Sequence, residues 1–277
     1  MPKLKFKKRH IYIYISYFDK MQRIQYFDYF LNNTLFNIFS HLDFKTRYYL
    51  GLTNKKLFNI FMKYKHEKTI SFEYNKYINY GININKYPNI KFDICICDND
   101  ISDLSEFENI HSLTLINCDN IEDISPVKNI NTLFLAYCSN IKDISSLGYI
   151  QNLRITSCEK ITDISSLQNN KSVKLEYLNI IDISSLHLID DITFDKCNKI
   201  NDISSLKNVK KLKLFECDGI TNVSMLYNVE FLYIINCRNI SSVYGLQNVK
   251  NLTITDFYGN IKDIELLQNI KNIKLFY

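Results

Sequence analysis

Short stretches of alternating apolar and polar residues return about every 20 residues from Phe92 onward. Each stretch has two apolar positions one residue apart, and this period of two predicts a β-strand with one buried face. The predicted inward pairs are Phe92/Ile94, Leu113/Leu115, Leu133/Leu135, Leu153/Ile155, Val173/Leu175, Ile192/Phe194, Leu212/Leu214, Leu232/Ile234, Leu252/Ile254 and Ile273/Leu275. Successive strands of this kind predict a stack of parallel coils.

A cysteine column accompanies the strands. Seven of the eight cysteines are assigned to one position of the repeat: Cys97, Cys118, Cys138, Cys158, Cys197, Cys217 and Cys237. Stacked coils lie about 4.8 Å apart, which keeps parallel side chains wider than a disulfide prefers, so we expect reduced, buried thiols. Leu178 and Phe257 replace the cysteine where the repeat spacing becomes 19 and 21 residues, which predicts a different loop path there.

The phrase IKDISSL at Ile141, repeated as ITDISSL at Ile161, begins the far side of each coil. Its aspartate supplies an acceptor where a tight turn leaves backbone N–H groups unpaired. The aspartates in register are Asp103, Asp123, Asp143, Asp163, Asp182, Asp202 and Asp263. A coil this short predicts 3₁₀ or extended convex segments, and the sequence disfavours a Ca²⁺ ladder because the turns lack the required oxygen ligands.

The first third of the chain follows another pattern. Leu31, Leu35, Ile38, Phe39 and Leu42 recur on one helical face, and further short helical segments follow to residue 66. Residues 1–30 form a basic N-terminal segment, 31–66 a three-helix unit, 67–91 an irregular cap with a strand-like start at 69–72, and 92–277 a solenoid of about nine coils. The sequence therefore predicts an α/β chain with a parallel sheet on the concave face.

Charge divides the chain in the same way. Through Lys68 there are 14 Lys and Arg against 4 Asp and Glu, and beyond it 20 against 25. The run KLKFKKR fits a nuclear-import or nucleic-acid patch, but a solvated basic terminus is favoured. No run is long enough to span a membrane and no signal-peptide pattern is found, so we expect a soluble, cytoplasmic protein, with the nucleus as the alternative.

Catalytic and metal-binding patterns are weak. The five histidines have no metal-like spacing with cysteine, Cys95-Ile-Cys97 is not a CxxC motif, and six glycines provide no phosphate-binding loop. We expect no enzymatic activity, metal or cofactor. A polysaccharide-acting β-helix enzyme would require acids clustered on an exposed face, whereas these aspartates are expected at turns.

The stretch FLNNTLFNIFSHLDFKTRYYLGLTNKKLFNI, residues 30–60, resembles an F-box. It departs from the usual motif at Asn32, in place of proline, at Thr34, in place of the common acidic residue, and at the third-helix Cys and Trp. The resemblance implies insertion into an SKP-type adaptor of a cullin ubiquitin ligase. The implied adaptor contacts are Leu31, Leu35, Ile38, Phe39, Leu42, Leu50 and Leu52.

The pattern LxLxxCxxITDISSL resembles leucine-rich repeats over about 185 residues. Its cysteine is similar to that of the repeats in F-box proteins, which we favour, and ITDISSL is similar to internalin-like bacterial surface repeats. A diverged F-box with such repeats also resembles proteins of large DNA viruses, which implies a host-cell setting.

Function is expected on the concave face, at outward strand positions. Phe215, Phe231, Tyr233 and Ile235 are predicted to form an exposed patch beside Lys211 and Lys213, with the composition of an interface centre. The other predicted target contacts are Phe134, Arg154 and Lys174. The leading hypothesis is a substrate-recognition subunit of a cullin ubiquitin ligase, and the alternative is a stand-alone interaction scaffold whose helices act only as a cap.

Overall fold

The computed structural model of the chain describes residues 41, 62, 70–73, 90–97, 101–255 and 258–276. The chain divides into two compact units, residues 1–67 and 68–277. Of the predicted helical unit, residues 31–66, only residues 41 and 62 are described, and all seven adaptor contacts and Phe257 lie outside the described residues. The second unit carries the repeats.

Among the described residues, eleven strands form one parallel sheet in which each strand pairs with the next along the chain. The strands are β1 (Ile70–Glu73), β2 (Phe92–Ile96), β3 (Ser112–Ile116), β4 (Thr132–Ala136), β5 (Asn152–Thr156), β6 (Ser172–Glu176), β7 (Asp191–Asp195), β8 (Lys211–Phe215), β9 (Phe231–Ile235), β10 (Asn251–Thr255) and β11 (Asn272–Phe276). This strict order confirms the predicted stack of coils. β1 lies within the segment expected to be an irregular cap and continues the parallel register at Ile70↔Phe92.

The predicted register is confirmed from β3 to β11, where Leu113 aligns with Leu133 and, at the far end, Leu252 with Ile273. In β2 the prediction was wrong by two residues, because Ile94 and Ile96 align with Leu113 and Leu115. A slip of two residues keeps every side chain on its face, so alternation alone cannot detect it.

This register corrects the assignment of Cys97 to the cysteine column. Cys118 follows the inward Leu115 by three residues, whereas Cys97 follows the aligned Ile96 directly. Cys97 is consequently exposed and Cys95 half-buried, while the other six thiols are buried.

The convex side consists of 3₁₀ segments, as predicted. They span Ser105–Phe107, Ser125–Val127, Ser145–Leu147, Leu167–Asn169, Ser184–Leu188, Ser204–Leu206, Ser224–Leu226, Leu246–Asn248 and Ile264–Leu267. The aspartates stabilise the turns that precede most of them: Asp143 Oδ1, for example, accepts from the Ser145 N–H at 2.8 Å. Asn222 does the same for Ser224, whereas Asp263 accepts from Val243 of the preceding coil.

The residue directly after most strands adopts a left-handed conformation. Its φ lies between 47° and 56° at Asn117, Tyr137, Ser157, Tyr177, Lys196, Glu216 and Asn236. In this conformation the N–H donates to the end of the next strand, as Tyr177 N does to Asp195 O at 2.8 Å. The hydrogen-bond ladder therefore extends one residue past each strand.

The core lies between the sheet and the 3₁₀ segments. Aliphatic residues repeat there in columns, and one column runs Ile110, Ile130, Ile150, Asn170, Ile189, Val209, Val229, Val249 and Ile270. Asn170 is the polar member and is only 4% exposed. The buried thiols form another column and contact strand carbonyls, as Cys197 Sγ does with Leu175 O at 3.3 Å.

Candidate functional site

The outward face of the sheet carries three columns of side chains. The registers align the middle column as predicted: Thr114, Phe134, Arg154, Lys174, Thr193, Lys213, Tyr233, Thr253 and Lys274. These positions differ from coil to coil while the inward ones repeat. Within the strands, the residue type therefore varies most on the outward face.

A basic cluster, made of Phe134, Arg154, Lys174 and Glu176, occupies β4 to β6. The Arg154 guanidinium carbon lies 4.4 Å from the centroid of the Phe134 ring. Its Nε donates to Glu176 Oε2 at 2.6 Å, and Lys174 Nζ lies 2.9 Å from Oε1 of the same carboxylate. Thr156 Oγ1 also donates to Glu176, at 2.5 Å.

Glu176 is the buried anion of this cluster, since its side chain is 6% exposed. Burial raises the pKa of its carboxyl, but the hydrogen bonds from Arg154, Lys174 and Thr156 outweigh burial and hold the pKa below its ordinary value. Burial raises the pKa of the adjacent Asp195, and the negative charge of Glu176 adds to that effect. Glu176 therefore fixes two cations in place and remains ionised.

The predicted aromatic patch, Phe215, Phe231, Tyr233 and Ile235 with Lys211 and Lys213, is a two-strand block. Lys211 aligns with Phe231, Lys213 with Tyr233, and Phe215 with Ile235. Each of the six is half-buried rather than fully exposed, because neighbouring strands place side chains about 4.8 Å apart. The block brings together all six residues that the sequence assigned to it.

The two lysines of the patch differ in their surroundings. Lys211 Nζ lies 2.8 Å from Asp191 Oδ2, and the hydrogen bond raises the pKa of this lysine. Lys213 Nζ lies 5.7 Å from the Tyr233 ring centroid, and its pKa is lowered by burial and by nearby Lys211. The Lys213 ammonium is thus partly desolvated beside an aromatic ring, which favours contact with an electron-rich or anionic group.

β7 separates the basic cluster from the aromatic patch. Thr193 is the middle outward residue of β7 and is a short polar side chain that is only 6% exposed. β6 and β8, on either side of it, are two strand spacings apart. That distance is about 10 Å. The nine predicted target contacts consequently form two groups on one face.

Sequence reasoning missed several partners of these residues. Thr156 donates to Glu176, and Asp191 pairs with Lys211. Both residues lie in the outer columns of the outward face, and the sequence prediction of target contacts did not include them. At the rim, Lys196 Nζ donates to the Tyr177 hydroxyl at 3.1 Å. Tyr177 and Lys196 each follow a strand in a left-handed backbone conformation. A glycine or asparagine at these positions would have indicated that conformation from the sequence, but tyrosine and lysine do not.

The 3₁₀ side offers a groove of about 480 Å³, lined among others by His187, Leu188, Lys207 and Lys210. Leu188 is 68% exposed there. Within the described part of the chain, no three His, Cys, Asp or Glu side chains converge as a metal site. Among the same residues, no helix is long and apolar enough to cross a membrane.

This geometry defines the class of the repeat unit. Parallel five-residue strands, a buried cysteine after the strand, an Asx-type turn and a 3₁₀ return in a coil of about 20 residues make it a leucine-rich-repeat solenoid. No protein-family model matches the chain, and no curated protein matches it.

Several solved structures are similar to the chain. An internalin (InlF) from Listeria monocytogenes shares 20% identity, covering 69% of this chain and 81% of its own, with a TM-score of 0.39. Internalin C2 (InlC2) from the same organism shares 22% identity over 62% and 73%, with a TM-score of 0.38. The functional domain of InlJ from Listeria monocytogenes, described as including a cysteine ladder, shares 14% over 69% and 60%, with a TM-score of 0.29. The assignment to the leucine-rich-repeat class rests on the strands, turns and 3₁₀ segments of this chain and not on these similarities.

Proposed function

We propose that the repeat unit is a non-catalytic protein-recognition scaffold whose target binds the outward face of the sheet. The observation that carries the proposal is the β8–β9 block, where three aromatic or aliphatic side chains and two lysines adjoin Phe215 in exact register. Aromatic anchors beside cations are enriched at the centres of protein interfaces. A rigid sheet holds them before binding, which lowers the ordering cost.

The basic cluster also supports a role in target binding for the outward face of the sheet. Arg154 is stacked on Phe134 and paired with Glu176, so its orientation is set before a partner arrives. The side chain is still 44% exposed and can contact a target. We propose that the target spans both groups across β7 and that Lys213 contacts an anionic or aromatic group of it.

A target captured by the immobilised chain and then purified would test this placement. Phe215→Ala combined with Tyr233→Ala is expected to weaken its affinity at least about tenfold, as loss of interface anchors does. Tyr149→Ala is the matched control, because Tyr149 is a 75% exposed aromatic residue outside the strands. Equal affinity for the double variant and the control would rule out this face.

A finer proposal is that the chain is the substrate subunit of a cullin ubiquitin ligase, in which residues 31–66 bind an SKP-type adaptor. Its support is the F-box-like sequence of residues 30–60. Ubiquitin transfer would then follow from proximity, with the target held by the sheet. The corresponding location is the cytoplasm, that of the host cell if the chain is viral, with the nucleus as the alternative.

Co-purification with an SKP-type adaptor tests the finer proposal. Leu35→Asp or Ile38→Asp is expected to abolish it, whereas Phe215→Ala leaves it unchanged. Failure of the wild-type chain to bind at micromolar concentration would favour the stand-alone scaffold. That alternative also predicts that deleting residues 31–63 unfolds the repeats.

A further inference from the structure

Cys95 and Cys97 form a pair of thiols that the cysteine column does not include. Their sulfur atoms lie 3.4 Å apart. Ile96 between them points into the core and is 0% exposed, so alternation turns both cysteines to the opposite side. Cys97 is exposed and Cys95 is half-buried, which leaves the pair open to small reagents.

The backbone holds Cys95 in place. Cys95 lies in β2, with strand partners on both sides at Glu73 of β1 and Thr114 of β3. Residues two apart in an extended strand have Cα atoms about 6.6 Å apart, near the upper end of the disulfide range. At this spacing the Cβ atoms of parallel side chains lie wider than a disulfide prefers, so a bond between Cys95 and Cys97 requires Cys97, which follows the end of β2 at Ile96, to shift toward Cys95. The resulting disulfide would be strained, and a strained disulfide is readily reduced.

The other six thiols are chemically protected. They are at most 8% exposed, and burial raises the pKa of Cys197 and Cys237 to about 11. Cys158 has a lowered pKa because it accepts a hydrogen bond from Cys138, but its exposure is 0%. Since thiolate character and access together control reactivity, the chain divides into six inert thiols and one open pair.

We propose that Cys95 and Cys97 are a redox-active dithiol that a low-molecular-weight disulfide oxidises reversibly to an intrachain disulfide. The Cys97 thiolate attacks one sulfur of the small disulfide, whose S–S bond breaks and releases one thiolate. Cys95 then attacks the Cys97 sulfur and releases the second thiolate. The two cysteines lose two electrons and two protons, and the small disulfide becomes two thiols.

This site is independent of the proposed target contacts. Neither cysteine belongs to the basic cluster or the aromatic patch, and Cys95 aligns with Thr114, one strand before Phe134. Oxidation would alter the β2 end of the outward face without touching β8 or β9. Loss of target binding by the Phe215 and Tyr233 variants would leave the dithiol chemistry unchanged.

Alkylation of the full native chain, followed by denaturation and mass spectrometry, is the first test. Two thiols, Cys95 and Cys97, are expected to react, and the six column thiols are expected to react at least about a hundredfold more slowly because they need local opening. Rapid labelling of column thiols, or protection of Cys95 and Cys97, would overturn the assignment.

Oxidation with glutathione disulfide is the second test. The wild-type chain is expected to lose two hydrogens, to retain no glutathione and to stop binding phenylarsine oxide, a reagent for paired thiols. Cys97→Ser should abolish both the internal disulfide and arsenical binding, and its exposed position makes the substitution mild. Cys237→Ser, in the protected column, should retain both. A stable glutathione adduct on the wild type, or arsenical binding by the Cys97 variant, would refute the dithiol.

Discussion

Arg154 donates from Nε to Glu176 Oε2 at 2.6 Å across neighbouring strands and across adjacent columns of the sheet. Glu176→Gln removes the charge that holds Arg154 and Lys174. We expect a loss of about 1–2 kcal/mol in the free energy of unfolding, less than for a fully buried pair because both cations are partly solvated. Urea denaturation at pH 7 measures it.

The same residue predicts a pH dependence. Because the folded-state pKa of Glu176 is lowered, its stabilisation is present above the ordinary value of 4.5 and is lost as pH falls through the folded value. The stability gap between wild type and Glu176→Gln should therefore close below pH 4.5. Asp195→Asn is a control with the opposite expected effect. The raised pKa of Asp195 makes its ionised form unfavourable in the folded chain, so removing that charge should not destabilise it. A gap that does not depend on pH would contradict the role of the Glu176 charge.

Asn170 is an imperfect member of its core column. Its Nδ2 donates to the carbonyl oxygens of Leu147 and Ile150, but its buried Oδ1 has no hydrogen-bond partner. We expect Asn170→Val to raise the free energy of unfolding by about 0.5–2 kcal/mol, because the other coils pack an aliphatic residue there. The reverse change, Val209→Asn, should destabilise the chain. A destabilised Asn170→Val variant would show that the two donated bonds outweigh the orphan oxygen.

Gly245 precedes the 3₁₀ segment Leu246–Asn248 with φ +92°. A Cβ there would lie 2.4 Å from Ser224 O and 2.8 Å from Ser224 Cα, both backbone atoms. Gly245→Ala is expected to cost at least about 2 kcal/mol, measured by thermal or urea unfolding. At Gly259, where φ is +63° and no atom lies within 4 Å of the added Cβ, alanine should cost less. Equal losses would mean that conformation rather than the clash determines the effect.

Asp202 stabilises a turn through a hydrogen bond from the Ser204 N–H to its Oδ1 at 2.9 Å. Asp202→Ala should lower the melting temperature, and Asp202→Asn should lower it less, because Asn222 makes the equivalent bond in the next coil without the charge. These hydrogen bonds lower the pKa of Asp143, Asp163 and Asp202, so their stabilisation is lost as pH falls below the ordinary value of 3.8. Equal melting temperatures for the Ala and Asn variants would argue against the turn bond.

Alternation along the sequence predicted the strands, their parallel stacking and the faces of residues such as Lys213 and Tyr233, because the same inward pair recurs in every strand from β3 to β11. It failed at β2, where a two-residue slip leaves the faces unchanged and Cys97 was placed in the column by spacing alone. It could not predict how Glu176 is buried beneath Arg154, since a period of two specifies a face and not the reach of a long side chain. Nor did it indicate that Tyr137 is left-handed, a conformation usual for Gly or Asn.

Those left-handed residues couple each coil to the next. A residue such as Tyr137 or Lys196 adopts this backbone at a cost of roughly 1–2 kcal/mol, and the hydrogen bond that compensates is accepted by the following coil. An isolated coil would have the cost without the bond. Much of the folding free energy therefore resides at the boundaries between coils, and unfolding of one coil is expected to propagate cooperatively to its neighbours.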